Sequence, residues 1–185
     1  MTKAVLHETE EKMKKTIEST VREFGTVRTG RASPTLVEGI HVEYYNTPTP
    51  LKQLATISTP DARLIAIQPW DMSILGDIEK AILKSDLGVT PVNDGKLIRI
   101  SLPQLSKERR EELVKLVKKM SEDGRVSIRT IRRDMNEHIK KLQKDSKITE
   151  DDSFEAQESI QKLTDKYIEK IDQILKDKEK EILEV

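Results

Sequence analysis

The sequence predicts an α+β protein, a long antiparallel three-helix bundle with a small β/α/β domain inserted between its first and second helices. Two observations carry this. Three segments, ~3–28, ~107–145 and ~150–184, hold apolar residues at near-heptad spacing flanked by charge. All seven prolines and the single tryptophan, Trp70, fall between the first and second of them. Proline inside a helix costs about 3 kcal/mol, so long helices exclude it while loops and strands collect it. A composition of 36% charged, 35% hydrophobic and 3% aromatic residues suits solvent-bathed helices better than a thick β-sandwich.

The first helix carries Leu6, Met13, Ile17, Val21, Phe24 and Val27. Within the insert, Ile40–Tyr44 alternates as a strand and Asn46–Pro50 reads as a turn. Leu64–Ile67 is a short strand, Asp71 caps a helix bearing Ile74, Leu75, Ile78 and Ile82, and Asn93–Gly95 is a hairpin signal before the strand Leu97–Ile100. The second helix opens after Ser106 and carries Leu113, Leu116, Val117, Met120, Ile128, Ile131, Met135, Ile139 and Leu142. Gly124 inside it costs about 1 kcal/mol relative to alanine, which points to a bend or a close helix approach there. Thr149–Asp152 forms a capping box for the third helix, which carries Ile160, Leu163, Tyr167, Ile171, Ile174, Leu175 and Ile182. The domain boundaries read as 1–30 with 106–185 for the bundle and 31–105 for the insert. Two tethers join them, Thr29–Pro34 and Leu102–Ser106, and with Gly30 and flanking prolines they read as a hinge. At about 1.5 Å per residue the second helix would span about 57 Å, making the bundle a rod.

The net charge is zero, yet the charge is segregated. Ser106–Lys147 holds 14 Lys/Arg against 8 Asp/Glu, and Ile148–Val185 holds 6 against 12. The second helix concentrates Arg125, Arg129, Arg132 and Arg133. Taking Arg110 as zero and about 100° per residue, Arg132, Arg125, Lys118, Arg129 and Arg133 fall between about 40° and 140°. Leu113, Met120, Ile131, Met135 and Leu142 fall between about 280° and 340°, so the basic face is expected to stand clear of the core. Arginine suits bidentate contact with phosphate, and the scarcity of aromatics argues against base stacking. The expectation is contact with RNA phosphates and folded shape. Two blander readings compete: the basic and acidic helices pack together and neutralise each other, or the basic face is solvated with intrahelical ion pairs to nearby Glu111 and Glu122. The alternative function is a helical coiled-coil adaptor that binds protein partners.

Catalytic and cofactor signatures do not emerge. The chain has no cysteine, and His7, His41 and His138 stand alone without metal-ligand spacing. No phosphate loop, dinucleotide fingerprint or nucleophile elbow is present. The N-terminus is polar, with no apolar run of signal or membrane-spanning length. The expectation is a soluble cytoplasmic protein, not an enzyme, with no catalytic residues, cofactor or metal.

Taken in order, Val27–Pro34, Val42–Tyr45, Thr49–Ile57, Pro60–Arg63, Ile67–Asp71, Ile78–Ile82, Ser85–Gly88, Asn93–Gly95, Glu108–Leu113, Ile128–Asp134, Ile160–Asp165 and Lys178–Ile182 resemble the bacterial-type ribosome recycling factors along essentially the whole chain. The resemblance implies an L-shaped, monomeric protein of tRNA-like dimensions. It implies binding to large-subunit (23S-type) rRNA of the post-termination ribosome near the peptidyl-transferase region. It further implies that, with elongation factor G and GTP, the inserted domain swings, disrupts an intersubunit bridge and splits the ribosome. The rRNA-contacting positions then fall on Arg28, Arg31, Arg110, Arg129, Arg132 and Arg133. The hinge falls on Gly30, Arg31, Ala32 and Ser33 and on Pro103, Gln104, Leu105 and Ser106. The chain departs from the family pattern at Asn46, where members commonly have Gly, and at Thr130, where they commonly have Asn.

Overall fold

The computed structural model describes residues 1–184. Along it run α1 (Thr2–Thr26), α2 (Thr35–Glu38), β1 (His41–Tyr44), β2 (Thr47–Pro50), β3 (Ala55–Asp61), β4 (Leu64–Pro69), α3 (Leu75–Lys84), β5 (Pro91–Asn93), β6 (Ile98–Ser101), α4 (Lys107–Lys144) and α5 (Glu150–Glu184). The chain divides into two compact units, Met1–Arg28 with Glu108–Glu184, and Thr29–Lys107.

The first unit is a three-helix bundle. Val5 packs with Met135, Ile139, Ala156 and Ile160, while Met13 packs with Ile128, Tyr167 and Ile171. Those pairings run α4 antiparallel to both α1 and α5. The apolar stripes are narrower than the sequence suggests. Val21 and Leu116 are exposed, and the buried rows instead take in Thr9, Thr20, Ser121, Ser153 and Thr164. Four of these hydroxyls return to their own helix: Thr9 donates to Val5 O (2.7 Å), Thr20 to Thr16 O (2.9 Å), Ser121 to Lys118 O (2.9 Å) and Thr164 to Ile160 O (2.8 Å). A buried hydroxyl so satisfied behaves as a small side chain, which lets helices approach without a cross-helix polar network.

Gly124 marks the tightest approach. A Cβ there would lie 2.9 Å from Thr20 Oγ1 and 3.1 Å from Ile171 Cδ1. Alanine would recover about 1 kcal/mol of helix propensity and lose a comparable amount to crowding, so Gly124→Ala is expected to be near neutral. Gly124→Val is expected to cost about 2 kcal/mol in urea melts. Wild-type stability of the valine variant would show that the three helices separate freely at this level.

The α4–α5 turn closes through a Schellman motif. Lys147 N–H donates to Leu142 O and Ser146 N–H to Gln143 O, both at 2.9 Å, with Ser146 left-handed (φ 55°). The expected capping box is present: Thr149 N–H donates to Asp152 Oδ2 and Asp152 N–H to Thr149 Oγ1, both at 3.1 Å. The Thr149 hydrogen bonds hold the Asp152 carboxyl below its ordinary value. The Glu10 carboxyl is likewise lowered, by hydrogen bonds from Lys166 and then Tyr167. A depressed carboxylate contributes stability that is complete above its unfolded pKa and lost as pH falls through the folded value. The thermal midpoint is therefore expected to be flat above roughly pH 5 and to fall below roughly pH 4, with Asp152→Asn flattening the acid limb. An acid limb unchanged by Asp152→Asn would remove the cap from that account.

In the second unit, β3-β4-β6-β5 form an antiparallel sheet, and β1 and β2 form a separate hairpin. Ile65 pairs with Ile100 and Ile67 with Ile98, so all four point to one face, where they are fully buried with Ile78 and Ile82 of α3. The stretch read as a turn, Asn46–Pro50, is mostly β2. The turn itself is Tyr45–Asn46, both left-handed at φ 48° and 60°, as a two-residue hairpin of type I′ requires. Pro48 and Pro50 sit opposite Glu43 and His41, while Leu51 N–H donates to Ile40 O at 2.8 Å. Alternation then places both prolines where no ladder donor is needed. Asp71 caps a short 3-10 turn, Met72–Ile74, that runs into α3.

Candidate nucleic-acid interface

The expected arginine face does not stand clear of the core. The buried row of α4 runs through Val117, Gly124, Ile128 and Ile139. At about 100° per residue, Ile128 shares the azimuth of Arg110, so Arg110, Arg125 and Arg132 border that row. All three are half-buried and reach across to α5. Arg110 Nη1 donates to Leu183 O (3.3 Å). Arg125 donates from Nε and Nη2 to Asp172 Oδ1 (2.8 and 2.7 Å) and from Nη1 to Glu122 Oε2 (3.0 Å). Arg132 Nη1 donates to Gln161 Oε1 (3.1 Å).

The remaining arginines face outward. Arg129 pairs with Glu122 about two turns below it, and among the described residues Arg133, 68% exposed, bonds its neighbour Asp134 at 3.3 Å. Arg28 is exposed just past the end of α1. Because α1 and α4 are antiparallel, Arg28 lies at the same end of the bundle as Arg110, about 33 Å along α4 from Arg132. Arg31 is exposed in the second unit.

The electrostatics separate these side chains further. Hydrogen bonds from Arg129 and then Arg125 hold the Glu122 carboxyl below its ordinary value, so both arginines are partly neutralised there. Arg125 is matched by a second carboxylate on α5 and is the most fully compensated of the set. The helices do offset one another at Arg125–Asp172 and at Lys118–Glu179 (3.4 Å). Arg110 and Arg132 are different: among the described residues Arg110 meets a neutral backbone carbonyl and Arg132 a neutral side-chain amide. The sequence reading missed Gln161 and Asp172. Their signal was the seven-residue spacing of Lys118, Arg125 and Arg132, which marks positions flanking a helix seam.

The eight tether residues read as a hinge, Gly30, Arg31, Ala32, Ser33, Pro103, Gln104, Leu105 and Ser106, all fall in the second unit. Gly30 is left-handed (φ 78°), and a Cβ there would lie 3.1 Å from Leu105 Cγ, so the two tethers touch. Ala32 N–H donates to Ala62 O (2.7 Å) and Leu102 N–H to Arg63 O (2.8 Å), anchoring each tether to the β3–β4 turn.

Among the described residues, no group of three or more His, Cys, Asp or Glu is placed to hold a metal ion, and no helix is long and apolar enough to cross a membrane.

A family model for the ribosome recycling factor matches residues 20–183. The chain is 57% identical over 181 residues to the ribosome-recycling factor of Oleidesulfovibrio alaskensis, covering 98% of each. It is 55% identical over 185 residues to that of Bacillus subtilis, covering 100% of each. Among solved structures, a ribosome recycling factor in solution is 45% identical, with a TM-score of 0.74 over 100% of this chain and 98% of that one. Another similar chain, 44% identical with a TM-score of 0.64 over 99% of each, comes from models of the T. thermophilus ribosome recycling factor and the E. coli elongation factor G bound to the E. coli post-termination complex. The chain belongs to the ribosome recycling factor family.

Proposed function

We propose that this chain recycles ribosomes: it binds the large subunit of the post-termination ribosome and, with elongation factor G and GTP, separates the subunits. The bundle is the grip and the Thr29–Lys107 unit is the moving part, pivoting on the tethers around Gly30 and Leu105. It works in the cytoplasm as a monomer and makes or breaks no bond itself; GTP hydrolysis belongs to the elongation factor. The rRNA phosphates are met by Arg28, Arg31, Arg110, Arg129, Arg132 and Arg133, while Arg125 serves the bundle.

The observation that carries the rRNA assignment is Arg132, a guanidinium at the α4 surface held by a neutral amide. Such a group keeps its charge and most of its five N–H donors for an anion. Six phosphate contacts release counterions, so affinity for large ribosomal subunits should fall steeply with salt. In cosedimentation, the slope of log Kobs against log salt is expected at about −4 to −5. A flat salt response would overturn the rRNA reading and favour a surface that recognises protein.

A further inference from the structure

Three basic side chains stand seven residues apart along the seam of α4 with α5. α5 answers Lys118 with the carboxylate of Glu179 and Arg125 with that of Asp172. It answers Arg132 with the carboxamide of Gln161. We propose that Gln161, fixed by Asp165, is a positioning residue that presents Arg132 to an rRNA phosphate with its charge uncompensated. This rests on the reading of Arg132 as a phosphate contact.

The geometry makes the amide a one-way device. Gln161 Nε2 donates to Asp165 Oδ1 at 2.8 Å, and its Oε1 accepts from Arg132 at 3.1 Å. Turned over, the amide would aim NH2 at the guanidinium donors and its carbonyl at the carboxylate, losing both bonds. Asp165 therefore sets the direction in which Gln161 faces. The cost to Arg132 is one N–H, whereas Arg125 commits three of its nitrogens to two carboxylates. An arginine held at one corner by a neutral acceptor is ordered yet still charged. An arginine held by a carboxylate is ordered and still protonated but partly compensated, so an incoming phosphate must compete with that carboxylate, and an arginine with no partner samples many rotamers that binding must collect.

The test is a double-mutant cycle with purified bacterial large ribosomal subunits and the full chain, with thermal melts run alongside. Gln161→Glu converts the amide into a direct counter-ion. Its affinity is expected to fall about tenfold with no loss of melting temperature. Gln161→Ala removes the acceptor without adding charge, and about a threefold loss is expected. In the Arg132→Ala background both effects should shrink to within about twofold, because their target is gone. Wild-type affinity in both Gln161 variants, or losses undiminished in the Arg132→Ala background, would overturn the positioning role alone. Wild-type affinity in Arg132→Ala itself would overturn the phosphate contact and the positioning role with it.

Discussion

Replacing Arg129 and Arg132 together with alanine is expected to lower affinity for the large ribosomal subunit about a hundredfold, on the basis of two charge-assisted contacts of about 1.5 kcal/mol each. The fold should be untouched. Among the described residues Arg129, 44% exposed, is tied to Glu122, and Arg132 is bonded to an amide. Exposed pairs of this kind contribute about 0–1 kcal/mol. Arg125→Ala should show the opposite pattern. That side chain is 21% exposed and bridges Glu122 to Asp172 across the helix seam. Its removal is expected to cost about 1 kcal/mol in a urea melt and to leave affinity within about twofold. The contrast matters because all three residues belong to one stripe on a helical wheel. A folded Arg129/Arg132 double variant with wild-type affinity would sink the interface, and a large binding loss in Arg125→Ala would move its centre toward α5.

The long helices were legible because their signals are local and repeated. The near-heptad spacing, the Thr149–Asp152 box and the confinement of proline to residues 34–103 each act within a few residues and agree with one another. Gly124 was legible as an anomaly, and the contacts of its absent side chain with Thr20 and Ile171 explain it. What was hidden depends on partners distant in sequence. A helical wheel for α4 alone places Arg110, Arg125 and Arg132 on the basic side. It cannot show that α5 passes beside that side with Asp172 and Gln161. Thr9, Thr20 and Thr164 carry no apolar signal in the sequence, although a hydroxyl bonded to the carbonyl one turn back packs as an apolar group would. Thr47–Pro50 was misread because proline usually forbids a strand. Only the pairing register shows that Pro48 and Pro50 fall on the positions that donate nothing to β1.

The tether at Gly30 gives the other large expected effect, this time on subunit splitting rather than on binding. Gly30 holds φ 78°, and its missing Cβ would meet Leu105 at 3.1 Å. A left-handed conformation costs a non-glycine residue about 1–2 kcal/mol, and a β-branched one more. Valine at this position must either push Leu105 away or abandon the turn, and either response changes the path by which the Thr29–Pro34 tether enters the second unit. Gly30→Val is therefore expected to slow splitting of post-termination ribosomes, in the presence of elongation factor G and GTP, by about tenfold or more. Large-subunit affinity should stay within about threefold, because five of the six proposed arginine contacts lie on the bundle unit. Gly30→Ala should be milder, and adding Leu105→Ala should recover part of its loss by restoring room while leaving the φ strain in place. Full-rate splitting by a stably folded Gly30→Val variant would show that the tether tolerates a new path and would move the pivot elsewhere. A loss of affinity equal to the loss of splitting would show that the tether sets the grip rather than the swing.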